Sequence, residues 1–222
     1  MSSTSLLAAR ASRLRDHWAV WRPEWTAERT CLYWYLTFTE DQLAQVVDEQ
    51  TRAVVDRTDW LDPVPAPWNH VTVCDVGFAD DLEQHDVEAV TSAVAHAMTG
   101  EERLRLDLGP VEAFASAVVL AAAPIGRLRA VRDGVRRATT AALGDRHTDV
   151  HRRLFWPHLS LGYVNREVDT ESVDRFFHEL PPSAHVSGTD AGRVEVDTLT
   201  LAAVTRRDRS YRWEVRAQVD LV

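Results

Sequence analysis

Apolar and polar positions along the first third of the chain predict strands and helices in alternation. The dense β-branched and aromatic run at 31–38 predicts a central strand. Thr39 and Gln42 form a capping-box signal, and apolar residues at helical spacing behind it predict a helix over about 40–56. Three prolines within 59–69 predict a loop.

The rest of the chain continues this mixed order. Strands are predicted at 70–78, 103–108, 111–123 and 158–164, helices at 85–98, 124–143 and 169–180, and a C-terminal hairpin at 193–204 and 211–221. Apolar and polar residues alternate in the last strand, as expected for a half-buried antiparallel strand. The order favours an α+β fold over a doubly wound parallel sheet. The absence of a glycine-rich loop after any strand argues against a P-loop or Rossmann site.

One internal repeat lies within two of these predicted strands. Pro67-Trp68-Asn69-His70-Val71-Thr72-Val73 matches Phe155-Trp156-Pro157-His158-Leu159-Ser160-Leu161 in its tryptophan, histidine, aliphatic and hydroxyl positions. The offset is 88 residues throughout, and each copy runs into a predicted helix. Two copies with matching flanks indicate a duplicated strand–helix unit rather than a chance match or a short-period solenoid.

The spacing inside each copy sorts its side chains onto two faces. Because side chains alternate along a strand, each histidine shares a face with the hydroxyl residue two positions later. The aliphatic face can then pack beneath helices. Two such strands side by side, related by a pseudo-twofold axis, would place both imidazoles and both hydroxyls in one cleft.

This set of groups suits phosphodiester chemistry without a metal ion. A neutral imidazole can accept a proton from the attacking water while a protonated one supplies a proton to the leaving oxygen. An unperturbed histidine pKa near 6.5 lets both forms coexist near neutral pH. Thr72 and Ser160 would donate hydrogen bonds to the non-bridging oxygens. We therefore predict His70, Thr72, His158 and Ser160 as catalytic residues, with no metal site and no cofactor.

With its two motifs, His70-Val71-Thr72-Val73 and His158-Leu159-Ser160-Leu161, the chain resembles the 2H phosphoesterase superfamily. The resemblance is to the bacterial branch labelled "2′-5′ RNA ligase family protein". It extends to the early YWYLTF strand, to VGF after the first motif and to the final strand around Tyr211-Arg212-Trp213, and so covers 31–222. Ser160 departs from the threonine of the first motif, and the ligase label lacks support from any ATP-binding lysine motif.

The resemblance implies a bilobal α+β fold. In it, two lobes of antiparallel sheet, flanked by helices and related by a pseudo-twofold axis, enclose an active-site cleft. It also implies metal-independent hydrolysis or transfer at 2′,3′-cyclic or 2′-5′ phosphodiesters. Residues 1–30, rich in tryptophan, are predicted to be an N-terminal extension of this single domain.

Composition and charge exclude several classes of protein and of binding partner. The chain has 222 residues, 45% of them hydrophobic and 27% charged, which is typical of a globular protein and excludes disordered and collagen-like classes. Its 34 acidic and 25 basic residues give a net charge of −9, and every basic residue is arginine. Such a chain is not expected to bind long duplex DNA or a membrane surface, whereas a small nucleotide or short RNA remains possible. Two cysteines without CxxC spacing, a short N-terminal apolar run and no span-length apolar segment predict a cytoplasmic location.

Further residues are candidates for substrate binding. Trp68 and Trp156, each two residues before a motif histidine, could line the cleft and stack on a base, or could pack in the core. Tyr35 could reach the cleft from the early strand or be buried. Arg153, Arg207 and Arg209 lie in predicted loops, where each could bind a phosphate or remain solvated. His147 and His151 have helical metal-ligand spacing, but a solvated loop is the favoured interpretation.

The sequence leaves alternatives to a 2H-type phosphodiesterase open. One is a tailoring enzyme that uses the same pair of histidines on a phosphorylated metabolite. Another is a non-catalytic nucleotide- or RNA-binding module that keeps the cleft. Retention of both histidines and both hydroxyls argues against the second of these. The roles of the two histidines, the leaving oxygen, the direction of the reaction and the oligomeric state are not determined by the sequence.

Overall fold

A computed structural model of the chain describes residues 13–20, 22, 24–147, 155–186 and 192–222. The strands in these residues are β1 (Thr30–Thr37), β2 (Leu61–Pro63), β3 (His70–Phe78), β4 (Leu104–Phe114), β5 (Ala117–Ala123), β6 (His158–Val164), β7 (Arg193–Val196), β8 (Thr198–Arg207) and β9 (Ser210–Asp220). The α-helices are α1 (His17–Val20), α2 (Glu40–Val46), α3 (Glu49–Arg57), α4 (Gln84–Ala97), α5 (Ile125–Leu143) and α6 (Thr170–Glu179). Within the described ranges, no helix combines the length and the apolar character that a membrane span needs.

The strands form one antiparallel sheet that divides into two halves. Its order is β7-β4-β5-β6-β3-β1-β8-β9, with β2 paired to β6 off this path. The halves β7-β4-β5-β6 and β3-β1-β8-β9 meet where β3 and β6 pair through Val71 and Leu159. Each of these two strands leads into a helix, α4 after β3 and α6 after β6. The predicted α+β fold with two pseudo-twofold-related lobes is confirmed.

The sheet is strongly curled. Strands β6 and β9 stand four positions apart, which in a flat sheet would separate them by roughly 19 Å. Nevertheless, the ring centroids of Tyr163 on β6 and Tyr211 on β9 are only 5.2 Å apart. The sheet therefore has a convex face and a concave face.

The two faces bury different kinds of side chain. On the convex face, aliphatic residues of the sheet pack against helices α2 to α6 in one core that includes Trp34, Leu36, Val71, Leu159, Leu161, Val94, Leu128 and Phe176. On the concave face lies a second, mostly aromatic cluster that includes Trp25, Tyr33, Tyr35, Phe78, Tyr163 and Tyr211. Alternation along the strands thus separates a helix-covered core from an aromatic cleft, as the motif spacing predicts.

The predicted single helix over 40–56 is wrong, because the chain forms two helices there. Helix α2 ends at Val46, and Val47 adopts an extended conformation. Asp48 then caps α3, its side chain accepting a hydrogen bond from the Thr51 backbone amide at 2.7 Å. The Asp48–Thr51 spacing is an N-cap signal that competes with the continuous apolar periodicity, and the cap determines the local structure.

The predicted boundary between the strands at 103–108 and 111–123 is wrong. Strand β4 runs through Gly109 and Pro110, where its register against β5 shifts, so that the proline lies at a bulge rather than in a loop. The break between the strands comes instead at Ala115, whose φ of 48° begins the turn into β5.

The C-terminal prediction is confirmed only for the hairpin formed by β8 and β9. The predicted strand 193–204 is two strands, since β7 pairs with β4 and β8 pairs with β1. The alternation in β9 is also interrupted. Leu201 pairs with Ala217 and Ala202 with Val215, so Arg216 is an extra residue that shifts Val215 off the helix-covered face.

The pairing between the two halves should contribute strongly to stability. Val71 is 0% exposed and Val215 is 52% exposed, so the same Val→Ala change tests a buried and a solvated site. We expect Val71→Ala to lower the free energy of unfolding by about 2 kcal/mol, because it removes two buried carbons and leaves a cavity. Val215→Ala should change it by less than about 0.5 kcal/mol. Denaturant unfolding measures both, and equal effects would contradict the assigned core.

Candidate active site

The register between β3 and β6 places the two motifs side by side. With Val71 opposite Leu159 in antiparallel strands, His70 lies opposite Ser160, and Thr72 lies opposite His158. Both aliphatic residues are 0% exposed on the helix side, so the four polar residues face the concave side. The two histidines are diagonal neighbours, whose backbone positions across a strand pair lie roughly 7 Å apart, close enough for both side chains to reach one small group.

Each imidazole is oriented by the carbonyl two residues before it. Nδ1 of His70 donates to the Trp68 carbonyl at 2.7 Å, and Nδ1 of His158 donates to the Trp156 carbonyl at 2.8 Å. Because a carbonyl only accepts hydrogen bonds, Nδ1 keeps its proton in both rings. Nε2 is therefore the nitrogen at which each ring gains or loses a proton.

The protonation state of His70 is set mainly by its surroundings. The pKa of His70 is lowered from its usual 6.5 to about 4, mainly by burial and in smaller part by the nearby His158, and against the opposing effect of the hydrogen bond to the Trp68 carbonyl. The His70 side chain still has contact with solvent at the floor of the cleft. At neutral pH it is a neutral imidazole that can accept a proton.

The two hydroxyl residues have different environments. Thr72 is partly exposed, whereas Ser160 is only 7% exposed. The buried Asn69 side chain donates to the Ser160 carbonyl at 2.9 Å and so fixes the loop before the first motif to the strand of the second. Each of these residues lies opposite the histidine of the other motif.

The aromatic candidates all lie close to the motif histidines. Tyr35 is 3% exposed and stacks on the His70 ring, with centroids 3.8 Å apart and 19° between the planes. The ring centroids of Trp68 and Trp213 lie 5.8 Å apart, and those of Trp156 and His158 lie 5.0 Å apart. Trp68 and Trp156 are both partly exposed, so each combines packing with access to the cleft.

Phe114 is a cleft residue that the sequence analysis missed. Its ring lies 4.3 Å from that of Trp156, and it is 40% exposed at the end of β4. A single phenylalanine before a turn has no pattern that distinguishes it from other strand residues.

The predicted arginines have other contacts or cannot be placed. Arg153 lies outside the described residues. Arg207 donates through Nε to the Ala27 carbonyl at 2.8 Å, and Arg209 donates to Asp62 at 2.8 Å and to the Asn165 carbonyl. These two guanidinium groups hold the N-terminal stretch and β2 in place. The structure does not bring them to the histidine pair.

The possible His147–His151 metal site is likewise not assembled by the structure. Nδ1 of His147 bonds the Thr140 hydroxyl at 2.8 Å, and Nε2 donates to the Asp75 carbonyl at 2.9 Å. His151 lies outside the described residues. Among the residues that the structure covers, no group of three His, Cys, Asp or Glu side chains is arranged to hold a metal ion.

The structure adds a third histidine to the concave face. His17 is 8% exposed, its Nε2 lies 2.8 Å from the Tyr211 hydroxyl, and its ring lies 4.4 Å from that of Tyr163. Burial, followed by the charges of Arg206 and His158, lowers the pKa of His17 to about 3. The only sequence signal here is the cluster of tryptophans around it, which indicates a buried face but no particular site.

Comparison with known proteins supports this architecture. Residues 39–208 match the family model of the 2′-5′ RNA ligase superfamily. No curated protein matches the sequence.

Several solved structures share the fold at low sequence identity. The E. coli LigT structure in complex with NADP+ has a TM-score of 0.60 at 15% identity, covering 87% of this chain and 99% of LigT. A structure described as a phosphoesterase has a TM-score of 0.64 at 16% identity, covering 87% of this chain and 99% of its own. TT0787 of Thermus thermophilus has a TM-score of 0.61 at 18% identity, covering 86% of this chain and 97% of its own.

Proposed function

This chain belongs to the 2′-5′ RNA ligase superfamily, and from that membership we propose that it is a metal-independent phosphodiesterase with its reaction centre between His70 and His158. The observation that carries the proposal is the register of β3 and β6, in which each histidine lies opposite the hydroxyl residue of the other motif. One phosphate bound over the Val71–Leu159 pair would then contact an imidazole and a hydroxyl from each half of the molecule.

The proton transfers follow from the state of the first imidazole. Neutral His70 accepts a proton at Nε2 from the attacking water as the new phosphorus–oxygen bond forms. Protonated His158 gives its Nε2 proton to the leaving oxygen as the old phosphorus–oxygen bond breaks. One water is consumed, and exchange with solvent returns both rings to their starting states. Thr72 and Ser160 donate hydrogen bonds to the two non-bridging oxygens, where negative charge increases.

The substrate that we propose is a 2′,3′-cyclic phosphate or a short 2′-5′-linked nucleotide. LigT, which shares the fold, has been crystallised with 3′-AMP and with ATP. In this chain, Trp68, whose carbonyl accepts from His70, and Trp156, whose ring lies 5.0 Å from that of His158, offer aromatic surfaces for a base. A net charge of −9 disfavours a long nucleic-acid track, because only local contacts can offset phosphate repulsion.

Single substitutions test the four proposed catalytic residues. His70→Ala and His158→Ala should each lower kcat/KM by about 10²- to 10⁴-fold, because each leaves one proton transfer unassisted. Thr72→Ala and Ser160→Ala should cost about 10- to 10³-fold, because each removes one hydrogen bond to the charged transition state. The double histidine variant should be little worse than the less active single variant, because the two groups act as a unit.

His96→Ala is the matched control for the histidine variants, since His96 is exposed on α4. It should retain wild-type kinetics. If His158→Ala kept nearly full activity on a substrate that the wild type cleaves, the motif repeat would be structural, and the proposed reaction would be lost.

The rate should depend on pH in a bell-shaped curve. The acid limb of kcat/KM should lie near the pKa of about 4 of His70, since activity rises as this imidazole becomes neutral. The alkaline limb should appear where the second imidazole loses its proton, and both limbs belong to the coupled pair. A pH–rate profile on the free enzyme measures this, and activity that falls steadily from pH 3 upward would contradict a neutral imidazole base.

Chelation and a substrate panel test the reaction class. With EDTA present, we expect hydrolysis within a panel of 2′,3′-cyclic mononucleotides, 2′-5′ and 3′-5′ dinucleotides and ADP-ribose cyclic phosphate, because imidazoles and hydroxyls supply the chemistry. Activity that EDTA abolishes and a divalent ion restores would instead assign a metal-dependent phosphoesterase. Turnover of the ADP-ribose compound alone would favour the alternative of a tailoring enzyme on a phosphorylated metabolite.

A further inference from the structure

The two motif histidines have different neighbours on the side that faces away from the other motif. On this outer side, β1 pairs with β3 and β5 pairs with β6, and the two pairs occupy equivalent places in the two halves of the sheet. Thr37 of β1 lies opposite His70, and Ala121 of β5 lies opposite His158. Directly opposed residues share a face, with Cβ atoms roughly 5 Å apart. One imidazole therefore has a hydroxyl beside it, whereas the other has only a methyl group.

The hydroxyl of Thr37 is held by a second threonine. Oγ1 of Thr37 lies 3.1 Å from Oγ1 of Thr200 on β8. Thr200 is 0% exposed, and within the described part of the chain its hydroxyl has no other hydrogen-bond partner. Because a buried hydroxyl proton without an acceptor is costly, Thr200 is the donor of this bond. Thr37, which is partly exposed, keeps one lone pair and its own proton for the cleft.

The strand order places Thr37 on the side from which a nucleophile would approach. In the proposed reaction the leaving oxygen takes its proton from His158 on β6. The attacking and leaving oxygens of a phosphoryl transfer are roughly in line, so the water must come from the opposite side of phosphorus. In the order β5-β6-β3-β1, that side is the one where His70 and Thr37 are neighbours. The small side chain of Ala121 borders the side of the leaving group.

A water molecule between His70 and Thr37 can use both of its protons. One proton is donated to Nε2 of His70, which accepts it in the reaction, and the other to the remaining lone pair of Thr37. Two such hydrogen bonds span roughly 5.5 Å, which matches the separation of opposed side chains. The water then directs a lone pair toward phosphorus. An alcohol has a single hydroxyl proton and cannot bond both residues.

We propose that Thr37, oriented by Thr200, is a further catalytic residue that positions the attacking water and favours water over an alcohol as the nucleophile. This role rests on the proposed phosphodiesterase function. It deepens that function by assigning hydrolysis, rather than transfer of the phosphoryl group to an alcohol, as the favoured reaction.

Competition between water and methanol tests this role on the best substrate of the panel. In hydrolysis the water oxygen bonds to phosphorus and a phosphate monoester forms. In methanolysis the methanol oxygen bonds to phosphorus, its proton goes to His70, the leaving oxygen takes the proton of His158, and a methyl phosphodiester forms. Phosphorus NMR measures both products at early times in a fixed fraction of methanol. Their ratio does not depend on the fraction of enzyme that is folded, because both come from the same bound substrate.

Thr37→Val should raise the ratio of methyl ester to monoester by about 3- to 10-fold, because it removes one hydrogen bond to water and none to methanol. The change should come mainly from slower hydrolysis. Thr37→Ser keeps the hydroxyl and should keep the wild-type ratio. Thr200→Val should raise the ratio by a smaller factor, and it should add nothing in the Thr37→Val background. A wild-type ratio in Thr37→Val would overturn the proposal.

Two further comparisons complete the experiment. Thr205→Val is the matched control, since Thr205 lies toward the other end of β8 and its hydroxyl donates to the Arg212 carbonyl at 3.3 Å. It should leave both kcat and the product ratio unchanged. Thr200→Val keeps the test available if Thr37→Val does not fold. A wild type that cleaves no member of the panel would overturn the proposed function and this role with it, whereas an active wild type with an unaffected Thr37→Val variant would overturn only the role of Thr37.

Discussion

The antiparallel pairing of Val71 with Leu159 is the contact on which the rest of the structure depends. It joins two four-stranded halves into one sheet and determines which polar residues become neighbours. Because side chains alternate with a period of two, a shift of one residue in either strand would turn its histidine and hydroxyl into the helix-covered core. The same pair therefore links folding to the chemistry, since the buried apolar residues fix the position of the exposed polar ones.

The curl of the sheet adds a second feature to this pairing, a cleft with low exposure to water. It brings Tyr211 of β9 against Tyr163 of β6 across the concave side, and the aromatic cluster between them excludes solvent. This burial is the main cause of the lowered pKa of His70, to about 4. A packing feature of the whole sheet thus keeps His70 neutral at neutral pH, as its proposed role as a base requires.

The two halves share a strand–helix unit but have different surroundings. Tyr35 stacks on His70 in the first half, whereas in the second half the N-terminal His17 packs against Tyr163. Under the proposed function such divergence is expected, because a base and an acid need different environments. The N-terminal stretch contributes to this asymmetry directly.

The sequence by itself determined the α+β fold, most of the elements and the motif pairs centred on His70 and His158, because local spacing and the repeat both leave a pattern along the chain. Sequence patterns predicted one helix where the Asp48 cap begins a second, and a strand break where β4 continues through the Gly109–Pro110 bulge. In both places a local feature, a single capping side chain or a bulge in the backbone, overrides the periodicity. Only the tertiary structure placed His17 and Phe114 at the cleft and gave Arg207 and Arg209 other partners. The bond between His17 and Tyr211 joins residues 194 positions apart, and contacts of that range follow from the curl of the sheet rather than from any local pattern.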